Sequence, residues 1–265
     1  MQFYESRPHV HLRQAVRCYW TMTSVDAPPS RILPDGCIEL VFKKQGLTRR
    51  HYQGASKIQT DCFLAGQLKE NMILEMEGCV KIVAVRFQPY GLSTFTRIPL
   101  GEFTGMDVDF GYVWPSSHLR DELFVSENWA DQVGLLDRFF LQAMGDAETD
   151  QIRFITRQLQ DAQNSVSDVA RLANLSMRQL QRLFLCRVGL SPIEFKRICR
   201  FQRVVKDLSS KGHKMVDLAY THHYSDQAHM NREFREFAGI APQKFQAEAE
   251  CLGKKLIENT NFPSE

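Results

Sequence analysis

The chain has 265 residues, of which 43% are hydrophobic and 24% charged, and its net charge is +2. That length suits two domains of about 100–150 residues, and that composition excludes a disordered, collagen-like or heptad-dominated chain. The longest apolar run, Val80 to Phe87, is broken by Lys81 and Arg86 and falls short of the ~20 residues that a membrane helix needs.

The first seven residues hold no basic region followed by an apolar one, so no secretory signal is expected and the location read is cytoplasmic. Up to about residue 105, short segments of β-branched or alternating character, 37–42 and 80–87, are separated by Pro34-Asp35-Gly36, Gly54, Gly66, Gly78 and Pro89-Tyr90-Gly91. They predict a mainly antiparallel, cupin-like β domain. Between 116 and 144, Leu119, Leu123, Trp129, Val133, Leu136, Phe139 and Phe140 recur at helical spacing, and no strand pattern follows. The fold class read is therefore α+β: a β-rich sensor or dimerisation domain over 1–145 with helices at its end, then an all-α domain over 146–265. The boundary falls near Gly145-Asp146-Ala147.

Division at this point changes the meaning of the charge. Residues 1–149 carry −3 and residues 150–265 carry +5, and 165–245 alone reaches +7. A basic bias confined to one half fits a polyanionic partner.

The basic segment also repeats itself. Asp168-Val169-Ala170 returns as Asp217-Leu218-Ala219 at an offset of 49, and after one inserted residue the offset is 50: Leu180 matches Met230, Arg182 Arg232, Phe184 Phe234, Gly189 Gly239, Pro192 Pro242 and Phe195 Phe245. Two copies are too few for a solenoid, so this is a duplicated supersecondary unit. Each copy reads as two short helices around a tight turn, at 166–188 and 215–237, with a linker helix over 192–208 between them. In the first, Ser167 is placed to cap a helix burying Val169, Ala170 and Ala173. Ser176 with Gln179 has the form of a capping box, and the helix it opens buries Leu180, Leu183 and Phe184 and ends at Gly189. In the second, His222-His223 makes the turn, and a helix from Ser225 buries Met230, Phe234 and Phe237.

Two helices about a tight turn form the shape whose second helix enters the DNA major groove. The outward positions are Arg178, Gln179, Gln181 and Arg182 in the first copy, and Gln227, His229, Asn231 and Arg232 in the second. Arginine pairs bidentately with guanine, and glutamine or asparagine with adenine. The bland alternative is a pair of solvated helix faces, and Arg182 and Arg232 have a second alternative of pinning their own helices. A 17-residue linker spans ~25 Å, which with a helix width at each end approaches the ~34 Å between successive major grooves on one DNA face. Arg197, Arg200, Arg203, Lys206, Lys211 and Lys214 are available for phosphate.

The run A-x-x-A-N-L-S-x-x-x-L-x-R-x-F, then G-L-S-P, D-L-A and Y-S-D-Q-A-H-M-N-R-E-F-R-E-F-A-G-I-A-P resembles the AraC/XylS family of bacterial transcription regulators. The resemblance covers about 100 residues. It implies seven helices, including a lead-in helix around Ile152, Ile155 and Leu159, and two helix-turn-helix units that contact bases. It also implies an activator of promoter DNA that works with RNA polymerase. His223 stands where the family has glycine, which demands a positive φ of a residue with a Cβ, and Ala241 stands where it has serine. The segments 33–42 and 85–91 resemble a β-rich sensor domain found ahead of such DNA-binding domains. A small-molecule effector, unidentified, and a homodimer are compatible with that domain.

Other constellations carry less. His9, His11 and His51 lack the further donors at strand spacing that a metal needs, and the seven cysteines form no C-x-x-C pair. No G-x-S-x-G, Walker or G-x-G-x-x-G pattern occurs, so neither an enzyme activity nor a cofactor is expected. Asp35 and Glu39 read as turn chemistry rather than paired catalytic carboxylates. Arg86, inside an apolar strand, contacts either an acidic effector or an internal carboxylate. The Trp129, Phe139 and Phe140 helix is core or a dimer contact. The rival from another class is a cupin-like or alkyl-transfer enzyme domain fused to a DNA-binding domain, which a uniquely reactive cysteine would reveal.

Overall fold

The computed structural model describes residues 2–115, 117–145, 149–208 and 214–252. Asp146 and Ala147 of the expected boundary, and Lys211 among the expected phosphate contacts, lie outside them. Strands β1 (Gln2–Ser6), β2 (Val16–Val25), β3 (Ser30–Ile32), β4 (Glu39–Tyr52), β5 (Ala55–Ile58), β6 (Cys62–Ala65), β7 (Met72–Phe87) and β8 (Asp107–Asp109) pair antiparallel in one sheet. Its order is β1-β2-β7-β4-β6-β8, with β3 also on β7 and β5 on β4.

Both central strands are buried on both faces, because the two-residue period of a strand sends alternate side chains to opposite sides. Val83, Val85 and Phe87 of β7, Leu40 and Phe42 of β4 and Tyr19 of β2 pack against α1 (Leu119–Leu123) and α2 (Trp129–Ala143). Phe140 of α2 is fully buried there, edge-on to Phe87. The core reading of this helix is thus the one realised. The opposite face presents Met22, Val41, Phe63, Met76, Ile82 and Ala84, and this second face leaves a cavity.

Seven further helices follow among the described residues: α3 (Asp150–Gln160), α4 (Val166–Leu172), α5 (Met177–Val188), α6 (Pro192–Leu208), α7 (Met215–Thr221), α8 (Gln227–Ala238) and α9 (Pro242–Leu252). Ile152, Ile155 and Leu159 of α3 are buried beside Leu180, Phe184, Ile198, Val205, Met230 and Phe234. One cap assignment and one helix start need correction. Ser165, not Ser167, caps α4, because Asp168 three residues on bonds back to it and closes a capping box. The helix expected from Ser225 begins at Gln227, with Asp226 as its cap through a bond from the His229 amide at 2.6 Å. The turn residues Asn174 and His223, 49 positions apart, adopt the same left-handed conformation with φ of 54° and 57°, so His223 does take the strain expected where the resemblance has glycine.

The two halves share a boundary that the sequence reading left undescribed. Leu33 and Tyr90 from the first half belong to the helical core. The β3–β4 turn presses on α6: Gln202 donates to the Pro34 carbonyl at 2.5 Å, and a Cβ on Gly36, whose φ is +75°, would stand 2.9 Å from the Phe195 ring. The C-terminal ends of α5 and α8, equivalent in the repeat, both rest on the sheet domain. Gln67 donates to the Val188 carbonyl at 3.1 Å and Thr104 to that of Gly189 at 2.5 Å, while Arg31 donates to the Ala238 carbonyl at 2.9 Å.

Gly189 ends α5 at φ +88°, and a Cβ there would lie 2.8 Å from the Leu100 carbonyl oxygen. Gly189→Ala is therefore expected to cost about 2 kcal/mol or more, combining left-handed strain with a backbone clash. Thermal unfolding reads this as a lowered midpoint, and an unchanged midpoint would refute it.

Candidate nucleic-acid interface

In the first copy both helices open on capping boxes, whereas in the second α8 opens on the Asp226 cap and α7 has no side-chain cap. Ser176 accepts the Gln179 amide while the Gln179 side chain accepts the Ser176 amide at 2.8 Å, which fixes the start of α5. From there the helical period puts Leu180, Phe184 and Val188 inward and Arg178, Gln181 and Arg182 outward. All three outward side chains are exposed, and Arg178 and Arg182 hydrogen-bond no protein group among the described residues. Gln179 is exposed too, yet its carbonyl oxygen is engaged by Ser176, which leaves its amide nitrogen for other partners.

The second copy presents less of the expected set. Arg232 is exposed, Gln227 is half-buried, and His229 is half-buried with Nδ1 3.1 Å from the Ser225 hydroxyl and its ring edge-on to Tyr224. Asn231 is half-buried, and its Oδ1 is enclosed without a hydrogen-bond partner. The exposed face of α8 instead runs through Ala228, Arg232 and Arg235. Arg235 was not singled out in the sequence, although its position three residues beyond Arg232 places it on the same helical stripe.

The basic residues of α6 divide. Lys206 and, at the start of α7, Lys214 are exposed. Arg197 and Arg200, read from sequence as available for phosphate, are instead engaged inside the protein. Glu233 of α8 accepts Arg197 Nε at 2.9 Å, Arg200 Nε at 3.0 Å and the Tyr224 hydroxyl at 2.8 Å, and Arg197 reaches Glu236 as well. Burial pushes the Glu233 carboxyl upward, but the hydrogen bonds from Arg200, Arg197 and Tyr224 outweigh it and hold it below the usual range.

Arg86 resolves toward the internal carboxylate. Its Nε donates to Glu39 directly across the strand pair at 2.6 Å, Asp35 lies 3.7 Å away, and Trp20 Nε1 donates to the same Glu39 oxygen at 3.2 Å. Asp35 also accepts the Cys37 amide at 2.9 Å, the turn chemistry expected of it. These groups edge a cavity of about 180 Å³ walled by Phe3, Trp20, Met22, Met72, Met76 and Ile82, into which Arg31 also projects. No group of His, Cys, Asp and Glu able to hold a metal occurs among the described residues, and no described helix is long and apolar enough to cross a membrane. Burial pushes the Cys18, Cys37 and Cys62 thiols up to about 12, which is opposite to the activation that a nucleophilic cysteine needs.

Comparison with known proteins adds the class. Residues 169–248 match the model of a helix-turn-helix domain, and residues 4–109 match a domain of unknown function. The chain is similar in structure to ToxT from Vibrio cholerae, at 10% identity over 93% of this chain and 98% of that one, with a TM-score of 0.48. It is also similar to a transcriptional regulator with an AraC-type DNA-binding domain from Chromobacterium violaceum, at 23% identity over 40% and 93% of the two chains and a TM-score of 0.35. A third similar structure is the AraC-like transcriptional activator CuxR, at 14% identity over 73% and 78% and a TM-score of 0.32. No curated protein matches the sequence. The duplicated unit and the family match define a helix-turn-helix domain, a module whose second helix has the shape that enters the DNA major groove. The helix-turn-helix match falls on the duplicated segment that the sequence reading singled out.

Proposed function

We propose that this protein is a sequence-specific transcription regulator that reads promoter DNA with the exposed faces of α5 and α8 and responds to a small molecule held against the sheet. The observation that carries the reading is the pair of equivalent, basic, exposed second helices packed on α6, Arg178, Gln181 and Arg182 on one and Arg232 on the other. Gln179, Gln227, His229 and Asn231 edge these faces. Arginine and amide side chains on groove-sized helices are the donors that base edges require. Activation, with RNA polymerase as the partner, follows from the resemblance, and a DNA-bound regulator acts in the cytoplasm.

Effector response is supported by the cavity. It is walled mainly by apolar side chains with a few placed polar groups, as small-molecule sites are. Arg31 Nε is buried without a partner among the described residues, the condition of a donor waiting for an acceptor. The same guanidinium holds the Ala238 carbonyl at the end of α8, so an occupant that engaged it would be felt by a DNA-reading helix. Arg86 is another cation at the cavity, shared with Glu39 and Asp35.

Selection of bound duplexes from a random library tests the reading. Two short preferred segments about one helical turn apart are expected, with affinity that falls steeply with salt. Absence of any enriched sequence, with binding indifferent to salt, would refute it.

A further inference from the structure

The repeat is not symmetric where it matters for α8. Fifty residues before Glu233, the equivalent position of α5 is Leu183, which packs in the apolar core. At Glu233 the second copy places a carboxylate whose side chain is only 3% exposed. That carboxylate draws three groups from two other segments onto one point: Arg197 and Arg200 from α6, and Tyr224 from the turn before α8. Both guanidiniums are further fixed by aromatic faces, Arg200 at 4.1 Å from the Tyr224 ring and Arg197 at 5.1 Å from the Phe237 ring. A guanidinium held bidentately and stacked has few alternative orientations. The direction in which α8 leaves α6 is thus set by an ionic node, whereas the equivalent position of α5 carries an aliphatic side chain packed in the core.

We propose that Glu233 is a positioning residue for DNA reading, which fixes the angle at which α8 presents Arg232 and its neighbours, and that Arg197 and Arg200 serve this node and not the DNA phosphates. The inference rests on the reading of α8 as a groove-binding helix and says how its aim is set. An apolar residue at position 233 converts the second unit to the seating used in the first. It leaves two half-buried guanidiniums without their shared acceptor, so they turn outward and the aim of α8 loosens. Base preference in the half of the site read by α8 then erodes. Preference in the half read by α5, 50 residues away in the repeat, does not.

The test uses the full chain and the duplex that the wild-type protein enriches from a random library. Glu233→Leu, Glu233→Gln and Arg200→Ala are each put through the same selection, and Arg197→Ala is titrated on the enriched duplex at several salt concentrations. For Glu233→Leu and Arg200→Ala we expect one half of the selected site to lose its preference, with the specific over non-specific affinity ratio falling about tenfold or more and the other half intact. Glu233→Gln keeps an acceptor and is expected to retain most of the preference, a rescue that simple loss of folding cannot imitate. The salt slope of Arg197→Ala is expected to equal that of wild type, because a lost phosphate contact lowers it by about one. Unchanged preference in both halves for Arg200→Ala, equal loss in both halves for Glu233→Gln, or a slope reduced by one for Arg197→Ala would each overturn the proposal. A wild-type protein that enriches no duplex overturns the DNA-binding reading and this inference with it.

Discussion

Phe201→Ala is expected to cost about 3–5 kcal/mol of unfolding free energy, the range for truncating a fully buried aromatic side chain. Phe201 lies in the middle of α6, fully buried, with the Phe234 and Phe237 rings both 5.1 Å from its own. The space left by the ring is bounded by other large side chains on rigid helices, so little collapse can fill it. Chemical denaturation should show a lower midpoint with an unchanged slope. A loss below about 1 kcal/mol would mean that α6 repacks freely, against the close-packed core described above.

The second large effect falls on DNA affinity. Arg182→Ala is expected to weaken binding to the enriched duplex by about 1–3 kcal/mol and to relax preference at one base pair, while non-specific binding changes far less. Arg178 and Arg182 stand on the exposed face of α5 with no hydrogen-bond partner among the described residues, so their removal leaves no buried group there uncompensated. Stability should stay within about 0.5 kcal/mol of wild type. Arg232→Ala should behave alike in the other half-site. If either change lowers the melting midpoint sharply and leaves base preference intact, the arginine pins its own helix and does not read DNA. Gel-shift titrations beside thermal unfolding separate the two outcomes.

Much of the second half was legible because its signals are local. Pro192 at the first turn and Glu194 three residues beyond Ser191 fix the start of α6, and the linker helix spans the residues read from the sequence, Pro192–Leu208. Gly189 and Gly239 end α5 and α8 in the left-handed conformation that glycine favours. The repeat supplied each boundary twice. Ser165 was overlooked as a cap in favour of Ser167, since both precede an apolar run and only the reach of Asp168 back to Ser165 distinguishes them.

The site was legible only in outline. Helical periodicity gives the outward face to within about one residue, and on α8 that margin decides between Asn231, enclosed, and Arg235, exposed. Arg197 and Arg200 show the same limit from the other side. A basic residue on a helix reads as available until its partner is known, and their partner lies more than 30 residues away on another helix.

The sequence by itself determined the two helix-turn-helix units, the helix between them, the antiparallel character of the first half and the DNA-binding class. Caps, turns and periodicity act over a few residues, and a duplication tests each reading against its copy. Only the tertiary structure decided that Arg197 and Arg200 are engaged by Glu233, that Arg86 is matched by Glu39 across a strand pair, and that both α5 and α8 end against the sheet domain. Those facts depend on which distant groups meet on folding, and Coulomb and hydrogen-bond energies depend on the distance between partners and not on their separation along the chain.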